Sequence, residues 1–117
     1  MQPDRRDRDI AALRDMSAAM RMAAEHIGGL RKETAGQSPH PRDACLYRVL
    51  VLGEAATRVS ESLKEQYPDI PWSSIVGMRN VLIHGYEKVN WNVVWDAVHD
   101  DFPQLVNQIQ SVLDALE

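Results

Sequence analysis

The chain has 117 residues, a length that fits one compact domain with its own buried core. Hydrophobic residues make up 44%, charged residues make up 26% and the net charge is -4, a balance that opposes a broad basic surface for coating nucleic acid. The single cysteine, Cys45, excludes an intrachain disulfide, and no apolar run is long enough to span a membrane.

The first predicted helix runs from about Asp4 to Ile27. Gly28 and Gly29 should end or bend it, because glycine costs about 1 kcal/mol inside a helix. We predict a short turn at Leu30 to Thr34 and a loop at Gly36 to Pro41, which contains two prolines. The apolar positions that repeat with helical spacing are Ile10, Leu13, Met16, Met20, Ala23, Ile27 and Leu30.

The second predicted helix runs from about Arg42 to Tyr67 and stops at Pro68, because proline lacks an N–H and clashes with the preceding turn. We expect a small-residue notch, formed by Gly53, Ala55 and Ala56, where another helix approaches closely. Its core positions are Leu46, Val49, Leu50, Ala56, Val59 and Leu63.

The third helix is predicted from near Pro71 to near Gly85, and the fourth begins after Asn90, a good N-cap residue. Pro103 should kink the fourth helix near His99 to Asp101. The core positions of the fourth helix are Val94, Val98, Phe102, Leu105, Ile109, Val112 and Leu116.

No segment alternates polar and apolar residues, so the sequence predicts an all-α protein. Short connections favour an antiparallel bundle of four main helices, with residues 1–117 as a single domain. The charged stretch from Met1 to Asp9 does not resemble a signal peptide, so we expect a cytoplasmic protein.

Charge is distributed unevenly along the chain. Seven of the 13 lysines and arginines lie in the first 32 residues, and none follows Lys88. This pattern is typical of two solvated helix faces, although it also suits electrostatic pairing with a partner. Any contact with RNA should therefore be local or assisted by a second subunit.

The most informative stretch contains Arg79, Asn80, His84, Gly85 and Tyr86. On a helix, Arg79 and His84 lie about 140° apart, whereas Asn80 and His84 are neighbours on the surface. All three can line the rim of one cleft. Gly85 should end the helix and free Tyr86 to project independently.

These residue types suit RNA cleavage without a metal. Arginine carries a permanent charge and a planar donor group that matches phosphate oxygens, and histidine transfers protons near neutral pH. RNA supplies its own nucleophile, the 2'-hydroxyl. Asn80 could orient the imidazole or a phosphate oxygen. The alternative is structural: His84 caps a carbonyl, Arg79 pairs with a carboxylate and Tyr86 is a packed side chain.

The motif holds one histidine per chain, whereas in-line cleavage benefits from both an acid and a base. A two-fold dimer would bring two Arg–His pairs into one cleft. The histidine count and the small-residue notch therefore suggest a homodimer.

Other candidate sites are weaker. The remaining histidines lack a second ligand at metal spacing, and Gly28-Gly29 follows a helix rather than a strand, so we expect no metal and no cofactor. Cys45 is interpreted as a small core residue rather than a nucleophile. The tryptophans could stack nucleobases, but their helical spacing is more typical of core positions. These weaker candidates are His26, His40, His99, Trp72, Trp91 and Trp95.

The spacing of Arg79, His84 and Tyr86 resembles the signature of HepT toxins in the HEPN superfamily. The resemblance extends from about Asp43 to Ile109. Further segments that look like family landmarks are Gly53-Glu54-Ala55-Ala56, Tyr67-Pro68-Asp69-Ile70-Pro71-Trp72, Gly77-Met78-Arg79-Asn80 and Asp101-Phe102-Pro103 with Leu105.

This resemblance implies a HEPN-like bundle that dimerises and acts as a metal-independent ribonuclease toxin. It implies that Arg79 and His84 are catalytic and that Asn80 occupies a supporting polar position. The implied antitoxin is an MNT-type nucleotidyltransferase, which transfers AMP from ATP to Tyr86. The added charge and bulk would then block RNA entry.

The sequence departs from the family pattern in three places, one of which is the stretch from Glu33 to Pro41, which is poorer in apolar residues than usual. Tyr47 to Leu52 lacks the arginine–asparagine pair and glutamate of many relatives, and Glu87 replaces a common phenylalanine. A carboxylate at Glu87 repels phosphate unless Lys88 offsets it. An alternative function is therefore a catalytically weak HEPN module that docks a nucleotidyltransferase and presents nucleotide or substrate; a purely structural helical dimer is a third reading.

Overall fold

The computed structural model describes residues 4–117, a bundle of α-helices with no strand in that range. Residues 1–3 lie outside the described residues. They belong to the charged stretch from Met1 to Asp9, for which the sequence predicts no signal peptide. The helices are α1 Arg5–Ile27, α2 Lys32–Gln37, α3 Pro39–Thr57, α4 Glu61–Gln66, α5 Trp72–His84, α6 Trp91–Asp96 and α7 Phe102–Leu116. A 3₁₀ turn spans Tyr86–Lys88, and a π-helical turn spans Ala97–Asp101.

Helices α1, α3, α5 and α7 form the antiparallel bundle that the sequence predicts. Contacts join the start of α1 to the end of α7, and the end of α3 to the first half of α1. The predicted stripe of α1 is buried from Ile10 to Ile27, because its helical repeat places these side chains on one face. The largest fully buried side chains include Leu13, Met16, Met20, Leu52, Ile75 and Ile109.

The prediction of one helix from Arg42 to Tyr67 is wrong, because the helix is interrupted between Thr57 and Glu61 and forms two helices, α3 and α4. The buried Asp9 carboxylate of α1 accepts hydrogen bonds from the N–H and the hydroxyl of Ser60, at 2.8 and 2.7 Å. The Ser60 hydroxyl also accepts from the N–H of Leu63 and caps α4. Asp9 lies 51 residues away in sequence, so local periodicity gives no sign of this break.

The predicted turn and loop before α3 are also wrong. Helix α2 begins at Lys32 and continues to Gln37, so only Ser38 separates it from α3. Pro39 and Pro41 lie in the first turn of α3, where backbone N–H groups have no partner within the helix. Proline is tolerated there, and it therefore starts a helix here instead of marking a loop.

The last two helices follow the prediction closely. The Asn90 side chain caps α6 by accepting from the N–H groups of Asn92 and Val93. The predicted kink is the π-helical turn Ala97–Asp101, just before Pro103. A wider turn accommodates the proline ring, which would clash with the His99 carbonyl in a regular α-helix.

The basic start and the acidic end of the chain meet within the molecule. The Arg6 side chain donates to the carbonyl of Leu116, and Arg14 pairs with Glu117. The Arg14–Glu117 pair is exposed, and such pairs contribute little to stability. Part of the basic N-terminal segment therefore contacts the acidic C-terminal segment of the same chain. Within residues 4–117, no helix combines the length and apolarity needed to cross a membrane.

Candidate active site

The Arg–His–Tyr motif lies at the carboxyl end of α5 and in the turn after it. The Gly85 N–H donates to the Val81 carbonyl at 2.8 Å and ends α5, as the sequence predicts. Tyr86 is then the first residue of the 3₁₀ turn. Arg79 and His84 consequently share one helix, while Tyr86 is oriented by the turn.

Arg79 is held where α5 crosses the small-residue notch of α3. A Cβ on Gly53 would lie only 2.1 Å from the Arg79 Cβ, so the two helices approach this closely because residue 53 is glycine. The notch is therefore occupied by α5 of the same chain, and the use of this notch as a dimer contact is wrong.

The Arg79 guanidinium is fixed by two side chains. Its Nε donates to Glu54 Oε1 at 2.5 Å, and its Nη1 donates to Asn80 Oδ1 at 2.8 Å. The arginine side chain is 28% exposed, so part of this donor group remains open to a ligand. Glu54 was not predicted as a site residue, although it belongs to a segment that marks the family resemblance.

Asn80 and His84 have different surroundings. Asn80 accepts from Arg79, and it makes no hydrogen bond to His84 in residues 4–117. Orientation of the imidazole by Asn80 stays a prediction. His84 is exposed at the last position of α5, so its imidazole is open to a substrate or to another chain.

Tyr86 reaches back to the first turns of α3. Its hydroxyl donates to Asp43 Oδ1 at 2.8 Å, and the same oxygen accepts from Arg42 Nε at 3.2 Å. Partial burial and the hydrogen bond to Asp43 raise the pKa of the Tyr86 phenol above its usual value of 10.0. The same hydrogen bond is the main cause that lowers the pKa of Asp43. Sequence reasoning missed Arg42 and Asp43.

The other candidate residues lie elsewhere. Cys45 is fully buried, and burial raises the pKa of its thiol to about 12, which suits a core residue. His99 is exposed, pairs with Asp100 and stacks on Trp95. Within the described chain, no three His, Cys, Asp or Glu side chains form a group that could hold a metal ion.

The family model described as "Ribonuclease HepT-like" matches residues 16–112. The chain belongs to the HepT-like ribonuclease family. The match includes α3 and α5 with the Arg79–Glu54 pair, the 3₁₀ turn that carries Tyr86, and the π-helical turn. The predicted HEPN-like, all-α fold is thereby confirmed.

Proteins from bacteria and archaea resemble the chain. "Putative RNase TTE0752" of Caldanaerobacter subterraneus subsp. tengcongensis is 29% identical over 76% of this chain and 80% of its own length. "Putative RNase MJ1380" of Methanocaldococcus jannaschii is 31% identical over 61% of this chain and 65% of its own. "Probable ribonuclease HepT" of Thermococcus cleftensis is 34% identical over 53% and 56%, respectively. No solved structure matches. Family and relatives together support a ribonuclease.

Proposed function

We propose that this HepT-like protein is the toxin of a HepT/MNT-type toxin–antitoxin pair. It acts as a metal-independent endoribonuclease through Arg79 and His84. The observation that carries this proposal is the arrangement of α5, which fixes a partly exposed arginine against Gly53 and Glu54 and ends on an exposed histidine.

Arg79 supplies positive charge to the scissile phosphate. Glu54 and Asn80 hold its Nε and Nη1, and Nη2 has no hydrogen-bond partner in the described chain. The guanidinium is therefore held in a fixed position, from which its positive charge can stabilise the developing phosphorane-like transition state. Because the guanidinium is already ordered, little side-chain entropy is lost when RNA binds.

His84 transfers the proton. The 2'-hydroxyl attacks the adjacent phosphorus, the P–O5' bond breaks, and a 2',3'-cyclic phosphate forms. One imidazole accepts the 2'-hydroxyl proton, and a second group protonates the leaving 5'-oxygen. In the proposed two-fold dimer, the second group is His84 of the other copy.

The second copy would cover exposed apolar side chains near the motif. Val81, Ile83 and Val93 are 50%, 45% and 58% exposed. Val81 and Val93 also border a cavity of about 700 Å³ beside α5, the π-helical turn and α7. Exposed apolar side chains on α5 and α6 support dimerisation that completes the site.

Tyr86 is the proposed acceptor of AMP. Its exposed phenol would attack the α-phosphorus of ATP held by the nucleotidyltransferase, with pyrophosphate leaving and the phenolic proton lost to a base. The phosphodiester formed adds about one negative charge in the turn that follows His84, where it would repel RNA. Intact-mass spectrometry after co-expression should show AMP increments that map to Tyr86 and are absent in Tyr86→Phe.

A second candidate function is a weak HEPN module that docks a nucleotidyltransferase. The Arg79–Glu54 pair favours this second function, because the Glu54 carboxylate already binds one N–H of the guanidinium that would otherwise bind phosphate. Glu87 adds a further negative charge next to Tyr86. This candidate predicts binding of the nucleotidyltransferase without RNA cleavage by the chain itself.

RNA cleavage by the purified chain tests the proposal. His84→Ala and Arg79→Ala should each reduce the rate by about 10²-fold or more, because each removes a group that acts in the transition state. His99→Ala is the matched control, since His99 is exposed but lies outside the motif. Cleavage should survive EDTA and leave cyclic phosphate ends. Equal rates in all variants, or cleavage restored only by added Mg²⁺, would contradict the proposal.

A further inference from the structure

A cavity of about 320 Å³ opens beside Tyr86 and is called here the Trp91 cavity. Val89 and six further residues line it, and only Tyr86 belongs to the Arg–His–Tyr motif. Its volume is at the lower end of the range for small-molecule sites, roughly 300–1,000 Å³. The six further residues are Gly36, Arg42, Leu46, Tyr86, Glu87 and Trp91.

The walls of the Trp91 cavity are joined to one another by specific contacts. The Trp91 indole donates to the Lys32 carbonyl at 3.0 Å, and a Cβ on Gly36 would lie 2.5 Å from the Trp91 ring. Arg42 Nη1 donates to the Gly36 carbonyl at 3.1 Å. Helix α2, the start of α3 and the start of α6 are thus joined around the cavity by contacts within the chain.

The lining combines three kinds of chemistry in a small space. Trp91 and Tyr86 supply aromatic surface, Leu46 supplies apolar surface, and Arg42 and Glu87 supply opposite charges. Arg42 uses Nε on Asp43 and Nη1 on Gly36, and its Nη2 makes no hydrogen bond to the described residues. One charged donor is therefore left for a ligand.

We propose that the Trp91 cavity binds one nucleotide of the RNA substrate, with the base against Trp91 and a phosphate oxygen toward Arg42. This inference rests on the ribonuclease function proposed above. The cavity and the Arg–His–Tyr motif share Tyr86, so an RNA strand that enters the cavity would also pass the turn after His84. Aromatic stacking typically contributes to binding of any unpaired base.

Glu87 gives the cavity a preference among bases. A carboxylate accepts from the exocyclic amino groups of cytosine, adenine and guanine, whereas the one base donor of uracil, its N3–H, lies between two carbonyl oxygens that repel a carboxylate. Cytidine, adenosine and guanosine nucleotides should therefore bind better than uridine nucleotides. An apolar side chain from a protein partner could fill the apolar part, but it would offer no acceptor to Arg42 Nη2 and no donor to the Glu87 carboxylate.

Titration of the wild-type chain with CMP, AMP, GMP and UMP tests the site by NMR. The protein has three tryptophans, and Trp91→Phe identifies the Trp91 indole N–H signal. CMP should shift this signal and leave the Trp72 signal unchanged. Arg42→Ala should weaken CMP binding at least about tenfold, the loss expected for a charge-assisted hydrogen bond. Arg31→Ala, an exposed arginine outside the lining, is the matched control.

Glu87→Gln should narrow the difference between CMP and UMP. His84→Ala should retain CMP binding while losing cleavage, which separates this proposal from the catalytic one. If the wild-type chain binds CMP at the cavity but never cleaves RNA, the ribonuclease proposal fails and the nucleotide site stands. Absence of a Trp91 shift, equal affinities of all four nucleotides, or an unchanged affinity in Arg42→Ala would overturn the Trp91 cavity proposal.

Discussion

Arg79 shows how a single side chain depends on residues far away in sequence. Its charge is useful only if its direction is fixed, and the Glu54 carboxylate on α3, 25 residues earlier, provides that restraint. Sequence reasoning predicted Arg79 and His84 as site residues because their types and spacing suit phosphate chemistry, and it predicted Tyr86 from the family resemblance. It did not identify Glu54 or Asp43 as their partners, because pairing across helices depends on how α3 and α5 align.

Replacing Glu54 with glutamine tests this restraint. The amide keeps the size of the side chain but removes the charge, so Arg79 should sample more orientations. We expect kcat for RNA cleavage to fall by roughly 10-fold to 100-fold with an intact fold, a cost typical of a displaced catalytic group. Glu25→Gln, on the exposed face of α1, is the control. An unchanged kcat in Glu54→Gln would show that Arg79 needs no such partner.

The Tyr86 phenol gives a prediction about pH. Its folded-state pKa is raised above 10.0, so the folded protein keeps this proton longer than the unfolded chain. The resulting stability is present below about pH 10 and is lost as pH rises through the folded-state pKa. Wild type should therefore lose more thermal stability than Tyr86→Phe between about pH 9 and pH 11.

Tyrosinate absorbance measures the same effect directly. The difference between wild type and Tyr86→Phe isolates one phenol, whose titration midpoint should lie above 10.0. Asp43→Asn removes the acceptor charge and should move the midpoint down toward the usual value. A midpoint at or below 10.0 in the wild type would contradict the hydrogen bond between Tyr86 and Asp43.

At the scale of the helices, three predictions that rest on local signals are confirmed. The Gly85 terminus, the Asn90 cap and the disturbance before Pro103 all follow from residues within one turn. The break at Ser60 could not be predicted, because it depends on Asp9 of α1. Pro39 and Pro41 misled the prediction, since the same residue type ends one helix and begins another.

The crossing of α3 and α5 can be tested by adding one methyl group. In Gly53→Ala, the new Cβ would lie 3.2 Å from the Arg79 Cα as well as 2.1 Å from its Cβ, so the helices must move apart. We expect destabilisation of about 1–3 kcal/mol, measured by urea unfolding, together with reduced RNA cleavage.

Gly77→Ala is the matched control for that substitution. A Cβ at Gly77 has no neighbour within 4 Å, and the residue lies inside α5. Alanine should leave stability unchanged or raise it by about 0.5–1 kcal/mol, because it favours the helix. Equal stability of the two alanine variants would show that the helices do not approach as closely as described.

For the whole molecule, the main question is how one histidine per motif supports acid–base chemistry. The small-residue notch cannot receive a second chain, because Arg79 of the same chain fills it. We propose Val81 and Val93, which are exposed and border the same cavity, as the surface for self-association. Arg14 and Glu117 already pair within the chain, so these two charges are not offered to a second copy.

The dimer is tested by introducing charge into that apolar surface. Wild type at micromolar concentration should scatter light as twice the 13.2 kDa chain mass. Val81→Asp or Val93→Asp would bury an unpaired carboxylate in the interface, which typically costs several kcal/mol, so each should give monomers. RNA cleavage should be lost together with the dimer, because a monomer carries one His84 and lacks the second proton-transfer group.

Met22→Asp is the control for these variants. It replaces an apolar side chain of α1 that is 38% exposed with the same carboxylate, and it should leave both the mass and the cleavage rate unchanged. A monomeric wild type that cleaves RNA, or a monomeric Val93→Asp variant with full activity, would refute the shared cleft and require the second proton-transfer group to come from the same chain.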